Sequence, residues 1–245
     1  VKAAPEAQLR LLDLQALDTR LDQLAHRRAT LPETAELARV DAEMATVRDD
    51  IVRLETADGD LAREQTKIEV ELVRGRAVRD QQRLDAGQVG SPRELENLQH
   101  EIGSLAKRQA DLEDQILELM ERRETVQNRL AERTADRDRL RAMGLQLEAK
   151  QGAAFAEIEA ESAELTGRRA ELADGLPTDV LTLYEKVRSS SGGVGAARLY
   201  RGQCQGCHLS LSGSDLAAVR AAAPDELVRC EECRRILVRT ADSGV

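Results

Sequence analysis

Aromatic residues are nearly absent from this chain, at 1% of 245 residues: Phe155, Tyr184 and Tyr200, with no Trp. Aromatic side chains supply much of the buried area in a compact core, so their scarcity argues against an ordinary globule of this length. No apolar run approaches the roughly 18 residues of a membrane span, and no membrane partner is expected. The start, Val1-Lys-Ala-Ala-Pro-Glu6, lacks the apolar core of a signal peptide and lacks Met, so a first residue ahead of Val1 is expected. A surplus of positive charge is missing too. The net charge of −9 gives no overall pull on phosphate backbones, so any nucleic-acid role has to be local.

Groups for catalysis are equally thin. No Gly-rich stretch has phosphate-loop spacing, and Ser189 to Ser191 have no accompanying base. His26 and His100 fall in helical stretches without a matching ligand cluster. The carboxylates lie at the spacing of solvated helix faces, where they serve solubility and i,i+4 pairing. Neither an enzyme nor a small-molecule substrate is expected.

What the chain does have is 41% hydrophobic and 33% charged residues in a regular rhythm. That regularity opposes disorder and reads as long helices packed along narrow seams. From Leu9 the rhythm runs through Leu14, Leu17, Leu21 and Leu24, until Leu31-Pro32 interrupts it, since proline lacks an N–H and disfavours helix just before it. Thr30 and Glu33 have capping-box spacing, which predicts a new or kinked helix there. A heptad seam follows through Leu37, Val40, Met44, Val47, Ile51, Leu54, Leu61 and Ile68, with Asp58 and Gln65 as its polar members. It weakens after Val73, and Gly87, Gly90 and Pro92 mark a break. Ser91 as N-cap and Pro92 at the first helical position restart the helix. The second series runs Leu95, Leu98, Ile102, Leu105, Leu112, Ile116, Leu119, Val126, Leu130 and Leu140, with Gln109, Arg123, Arg133 and Arg137 between them. Leu147, Ile158, Leu165 and Leu172 keep the phase to Gly175-Leu-Pro177.

The arms on either side of residue 89 each hold about 80 residues, roughly 120 Å if straight at about 1.5 Å per residue. An isolated heptad stripe cannot stay exposed. Matched lengths and a tight Gly/Pro turn predict an antiparallel helical hairpin with its apex near 87–92, while pairing between chains stays open. The expected organisation is a mainly α coiled-coil hairpin over 1–188, whose last part carries a short helix around Val180, Leu183, Tyr184 and Val187. A flexible linker by composition follows at 189–195, then a small β-type ribbon at 196–245.

The ribbon holds all four cysteines, as Cys204-Gln-Gly-Cys207 and Cys230-Glu-Glu-Cys233. One C-x-x-C grips a metal from a tight turn, and two complete the tetrahedral four-sulfur site that structural zinc prefers. Four thiolates leave no open position, which argues against catalytic zinc, and paired brackets around strand-like segments argue against a redox dithiol. Thiolates at zinc spacing suit a reducing cytoplasm. Strand-like segments are expected at 197–200, 208–211, 227–228 and 236–239, with His208 as a strand residue. So few apolar groups in about 50 residues call for metal binding to stabilise the fold, by about 10 kcal/mol or more in small peptides.

Two segments carry a resemblance. Ser91-Pro-Arg-Glu-Leu95-Glu-Asn-Leu98-Gln-His100-Glu-Ile102 is similar to the hairpin-apex signature of a bacterial family of coiled-coil proteins with a C-terminal four-cysteine zinc ribbon. The ending, C-x-x-C and then C-x-x-C-R-R-I-L-V, resembles that family's ribbon. The resemblance spans essentially the whole chain and implies a helical hairpin, one zinc ion on Cys204, Cys207, Cys230 and Cys233, and nucleic-acid binding. Arg234 departs from the glycine that often follows a zinc knuckle, which bears on the turn's geometry. From the residues alone, two readings stand. Nucleic acid (RNA or DNA) can meet two basic clusters: Arg198, Arg201, Arg229, Arg234, Arg235 and Arg239 of the ribbon, and Arg74, Arg76, Arg79, Arg83 and Arg93 of the apex. Acids offset both clusters, and only Tyr200 offers a stacking face. A protein adaptor can instead use heptad edges or the ribbon to dock partners. The resemblance places nucleic acid first and the adaptor second.

Overall fold

The computed structural model describes residues 1–245. The chain forms two compact units: Val1–Thr34 with Ala149–Val245, and Ala35–Glu148. Helices α1 (Pro5–Ala29), α2 (Pro32–Ala86) and α3 (Pro92–Asp174) build the long hairpin, as the heptad spacing predicts. Proline opens each of the three, where its missing N–H has no intrahelical partner to lose.

Within residues 35–148 the pairing is antiparallel. Val40 lies against Gly144, Asp58 receives Arg123, Glu71 pairs with Arg108, and Gln82 donates to Glu101. Val40, Val47 and Ile51 bury against Leu140 and Leu147, the heptad residues of the two series. The polar seam members find each other across the same seam. The Arg123 guanidinium donates to Asp58 and to Gln65 at 3.2 Å each, and Gln127 adds a bond to Asp58 at 3.0 Å. At the apex the Gly87 and Gln88 amides bond back to Leu84 and Asp85, and the Leu95 amide donates to the Ser91 carbonyl as α3 restarts.

The other unit joins the hairpin base to the ribbon. Leu17, Leu24 and Leu31 pack on Ile158 and Leu165 of α3. The short helix α4 (Thr178–Ser190) forms where its apolar spacing predicts and buries Val180, Tyr184 and Val187. A four-stranded sheet follows, ordered β2-β1-β4-β3, from β1 (Ala196–Tyr200), β2 (Gln203–Cys204), β3 (Val228–Arg229) and β4 (Ile236–Val238). Strand β1 runs parallel to β4 and antiparallel to β2, and β3 is antiparallel to β4. The sheet has two buried faces. Ala196, Ile236 and Val238 join Leu11, Leu14, Val180, Tyr184 and Val187 in one core, while Ala197, Leu199, Val219 and Leu237 pack with Cys204 and Cys230 in another. The ribbon therefore borrows burial from the helices as well as relying on metal.

Three local expectations change. Residues 208–211 make a single bridge, Gln203 to Ser210, and no strand. Helix α5 (Gly213–Ala221) was not expected, although Ser212 and Asp215 form a complete capping box at its start. Thr30 makes no such box, because its hydroxyl donates back to the His26 carbonyl at 2.8 Å and closes α1 instead. Residues 189–195, glycine- and serine-rich, are tied down as described below. No helix is long and apolar enough to cross a membrane.

Candidate metal centre

Two tight turns bring the four sulfurs together. In the first knuckle the His208 amide bonds the Cys204 carbonyl at 2.8 Å and the Cys204 amide bonds the Leu209 carbonyl at 3.0 Å. The second repeats this, Arg234 to Cys230 at 2.8 Å and Cys230 to Arg235 at 2.9 Å. The residue after each second cysteine takes a left-handed backbone, His208 at φ +60° and Arg234 at φ +61°. The glycine-like turn thus survives in both knuckles without glycine.

All four Sγ atoms lie within 4.8 Å of one another, with Cys204–Cys233 at 3.8 Å and Cys207–Cys230 at 3.9 Å. A tetrahedron with metal–sulfur bonds of about 2.3 Å has edges of about 3.8 Å, so the cluster fits one structural Zn²⁺. Cys204 and Cys230 are buried and the other two half-buried. Burial pushes the Cys204 thiol up to about 12, and the neighbouring sulfurs Cys230 and Cys233 add to the rise. Burial raises Cys230 as well. At Cys233 burial is outweighed by the Arg235 amide and the other three sulfurs, which hold the thiol below its ordinary value. A buried sulfur set of this kind needs a cation to carry its negative charge.

The arginines of the ribbon divide by what they touch. Arg235 is a tie-bar: its guanidinium donates to the carbonyls of Gly206 in the first knuckle at 2.8 Å, Val194 at 3.2 Å and Ser191 at 2.8 Å. A Cβ on Gly206 would lie 2.8 Å from Arg235 Cδ, so only glycine lets that side chain pass. Arg239 donates to carbonyls of Val219, Ala222, Ala223, Pro224 and Glu226, and so caps the end of α5. Arg198 pairs with Asp242 at 2.5 Å and Arg234 with Glu231 at 3.0 Å. Arg229 spends its Nε on the Arg234 carbonyl at 2.7 Å. Only the Arg201 side chain makes neither a hydrogen bond nor an ion pair, and its guanidinium lies 5.2 Å from the centre of the exposed Tyr200 ring. At the apex Arg76 pairs with Glu113 at 2.7 Å, Arg79 bonds Gln109, and Arg83 lies 4.0 Å from Asp80. Arg74 and Arg93 are exposed without a carboxylate partner.

A second polar cluster, absent from the sequence reading, fixes the ribbon to the base. Gln15 Oε1 accepts the Gly195 amide at 2.6 Å and its Nε2 donates to the Gly193 carbonyl at 3.0 Å. The Tyr184 hydroxyl donates to buried Asp18 at 2.6 Å, Arg169 reaches the same carboxylate at 2.6 Å, and Arg188 bridges to Asp22 at 2.8 Å. Burial, then Asp18, pushes the Tyr184 phenol up, and the Asp18 hydrogen bond pushes Arg169 up. Gln8 clasps the Ala3 and Pro224 carbonyls, and the Ala3 amide donates to Asp225 at 2.7 Å. One signal was available: Asp18 flanks the apolar stripe, next to Leu17 and four residues after Leu14.

Comparison with known proteins agrees with this construction. A family model for a CT398-like coiled coil hairpin domain matches residues 14–192, and one for a C4-type zinc ribbon domain matches residues 203–237. The Mycobacterium tuberculosis protein Rv2229c is 39% identical over 244 residues, covering 98% of each chain. A solved Mycobacterium smegmatis structure superposes with a TM-score of 0.86 at 32% identity, over 98% of this chain and 100% of that one. The structure of CT398 from Chlamydia trachomatis gives 0.71 at 21% identity, over 96% and 98%, a likeness that bears on the fold alone.

Proposed function

The chain belongs to the CT398-like coiled-coil hairpin family and carries a C4-type zinc ribbon, and from that premise we propose that it is a non-catalytic cytoplasmic scaffold that docks protein partners. The fate of its arginines supports this reading most. A phosphate-binding surface needs cations free to meet the backbone. Arg235 and Arg239 are instead committed to carbonyls of their own ribbon, and Arg198, Arg234, Arg76 and Arg83 stand beside carboxylates. The zinc ion has a structural part here: it holds two knuckles so that the ribbon presents one surface.

Nucleic acid is the second reading, favoured by one observation, exposed Tyr200 beside the unpaired Arg201. A stacking face with an adjacent cation suits a single strand. The test is to capture partners with zinc-loaded protein, with and without nuclease, beside Arg201→Glu. Partners that survive nuclease and the Arg201 change support the scaffold. Bound RNA or DNA that Arg201→Glu abolishes, with no nuclease-resistant protein, overturns it.

A further inference from the structure

Toward the apex the hairpin stops burying its seam. Leu72 and Leu112 are the last buried residues, and none between them along the chain is buried. The cause lies in α2. Its seam continues from Leu72 by steps of three and four to Gly75, Arg79 and Gln82, whereas α3 still offers Leu98, Ile102 and Leu105. Gly75 costs the helix interior about 1 kcal/mol relative to Ala. Nothing lies within 4 Å of where its Cβ would sit, so close packing does not require the glycine. It leaves a groove of about 210 Å³, walled by Leu72, Val78, Leu105 and Leu112. The cations on the rim differ. Arg108 is paired with Glu71, but Arg74 has no carboxylate within ion-pair distance and stands exposed.

We propose that this groove is a docking site for an amphipathic helix of a protein partner, one whose apolar anchor enters over Gly75 and whose flanking acidic residues meet Arg74. The inference rests on the scaffold reading and names the kind of partner. An apolar side chain completes the missing α2 layer, and a carboxylate supplies the charge that Arg74 lacks within its own hairpin. A basic helix would meet Arg74 as a like charge and is disfavoured.

The test uses the full-length zinc-loaded protein and two synthetic helical peptides with one shared Leu stripe, one flanked by Glu and the other by Lys, read by fluorescence anisotropy. The expected result is at least tenfold tighter binding of the Glu-flanked peptide. Arg74→Glu reverses the preference, and Gly75→Met, which fills the groove from an exposed helix, weakens binding at least tenfold at unchanged helicity. Equal affinity for both peptides, or binding indifferent to both variants, overturns the proposal. So does self-association in sedimentation that Gly75→Met abolishes, which would make a second copy the occupant. Peptide failure with nuclease-resistant partners retained defeats the groove and leaves the scaffold standing. Peptide binding with only nucleic acid captured defeats the scaffold and leaves the groove.

Discussion

His208 and Arg234 carry the backbone geometry that glycine adopts freely, at φ +60° and +61°. For an L-residue the left-handed region costs roughly 1–2 kcal/mol, partly offset in a glycine variant by its greater unfolded-state entropy. His208→Gly is therefore expected to stabilise the ribbon by about 0.5–1 kcal/mol, and His208→Val to destabilise it, as read by chelator competition and thermal melting. The four ligands were legible because coordination dictates C-x-x-C spacing whatever surrounds it. The work of Arg235 and Arg239 was not, since backbone carbonyls leave no trace in residue types. An arginine that crosslinks loops reads like one awaiting phosphate. Arg235→Lys keeps the charge but loses the planar fork that reaches Gly206, Val194 and Ser191 together. It is expected to cost about 1–3 kcal/mol and to speed hydrogen exchange over 191–195, with zinc retained. Arg201→Glu is expected to stay within about 0.5 kcal/mol.

At the scale of elements, hairpin helices were readable because a 3.5-residue period has only one physical use. The attachment of α1 to the ribbon was not, because Gln8 and Gln15 bond to main chain that is distant in sequence. Helix α5 was missed because nine residues, barely more than two turns, are too few to display a helical period, although Ser212 and Asp215 marked its start. Seam polarity yields a prediction with a sign. The Arg123 hydrogen bond holds the Asp58 carboxyl below the ordinary carboxylate range. The unfolded chain then binds that proton more tightly than the folded one, so the contribution is present above about pH 4 and is lost as pH falls below it. Wild type is expected to melt above Asp58→Asn at pH 7, and the gap to close on acidification toward pH 2. A constant gap would mean that charge plays no part in this layer.

At the scale of the molecule, zinc and helix burial share the ribbon between them. Cys204→Ser, or chelation, is expected to abolish zinc binding and open the core around Ala197, Leu199, Val219 and Leu237, while far-UV helicity of the hairpin is largely kept. Equal loss of both signals would refute that division. The pairing of residues 1–3 with residues 225–227, just ahead of β3, has a further consequence. Lys2 bridges to Glu226, and the unit that contains the zinc site is assembled from two separate segments, Val1–Thr34 and Ala149–Val245, with residues 35–148 inserted between them. The Gln151 amide donates to the Thr34 hydroxyl at 2.8 Å, so a short Gly-containing turn can span the excision point. Excising 35–148 is expected to leave a folded, zinc-binding miniature, measured by metal stoichiometry and a cooperative melt. During synthesis, by the same topology, α1 precedes the arm and must wait for residues 193–224 before Gln8 and Gln15 find their partners. Residues 35–148 have all been made by then and contribute nothing to that module's own core, which makes arm length a quantity that can change by whole heptads while the module's residues stay the same.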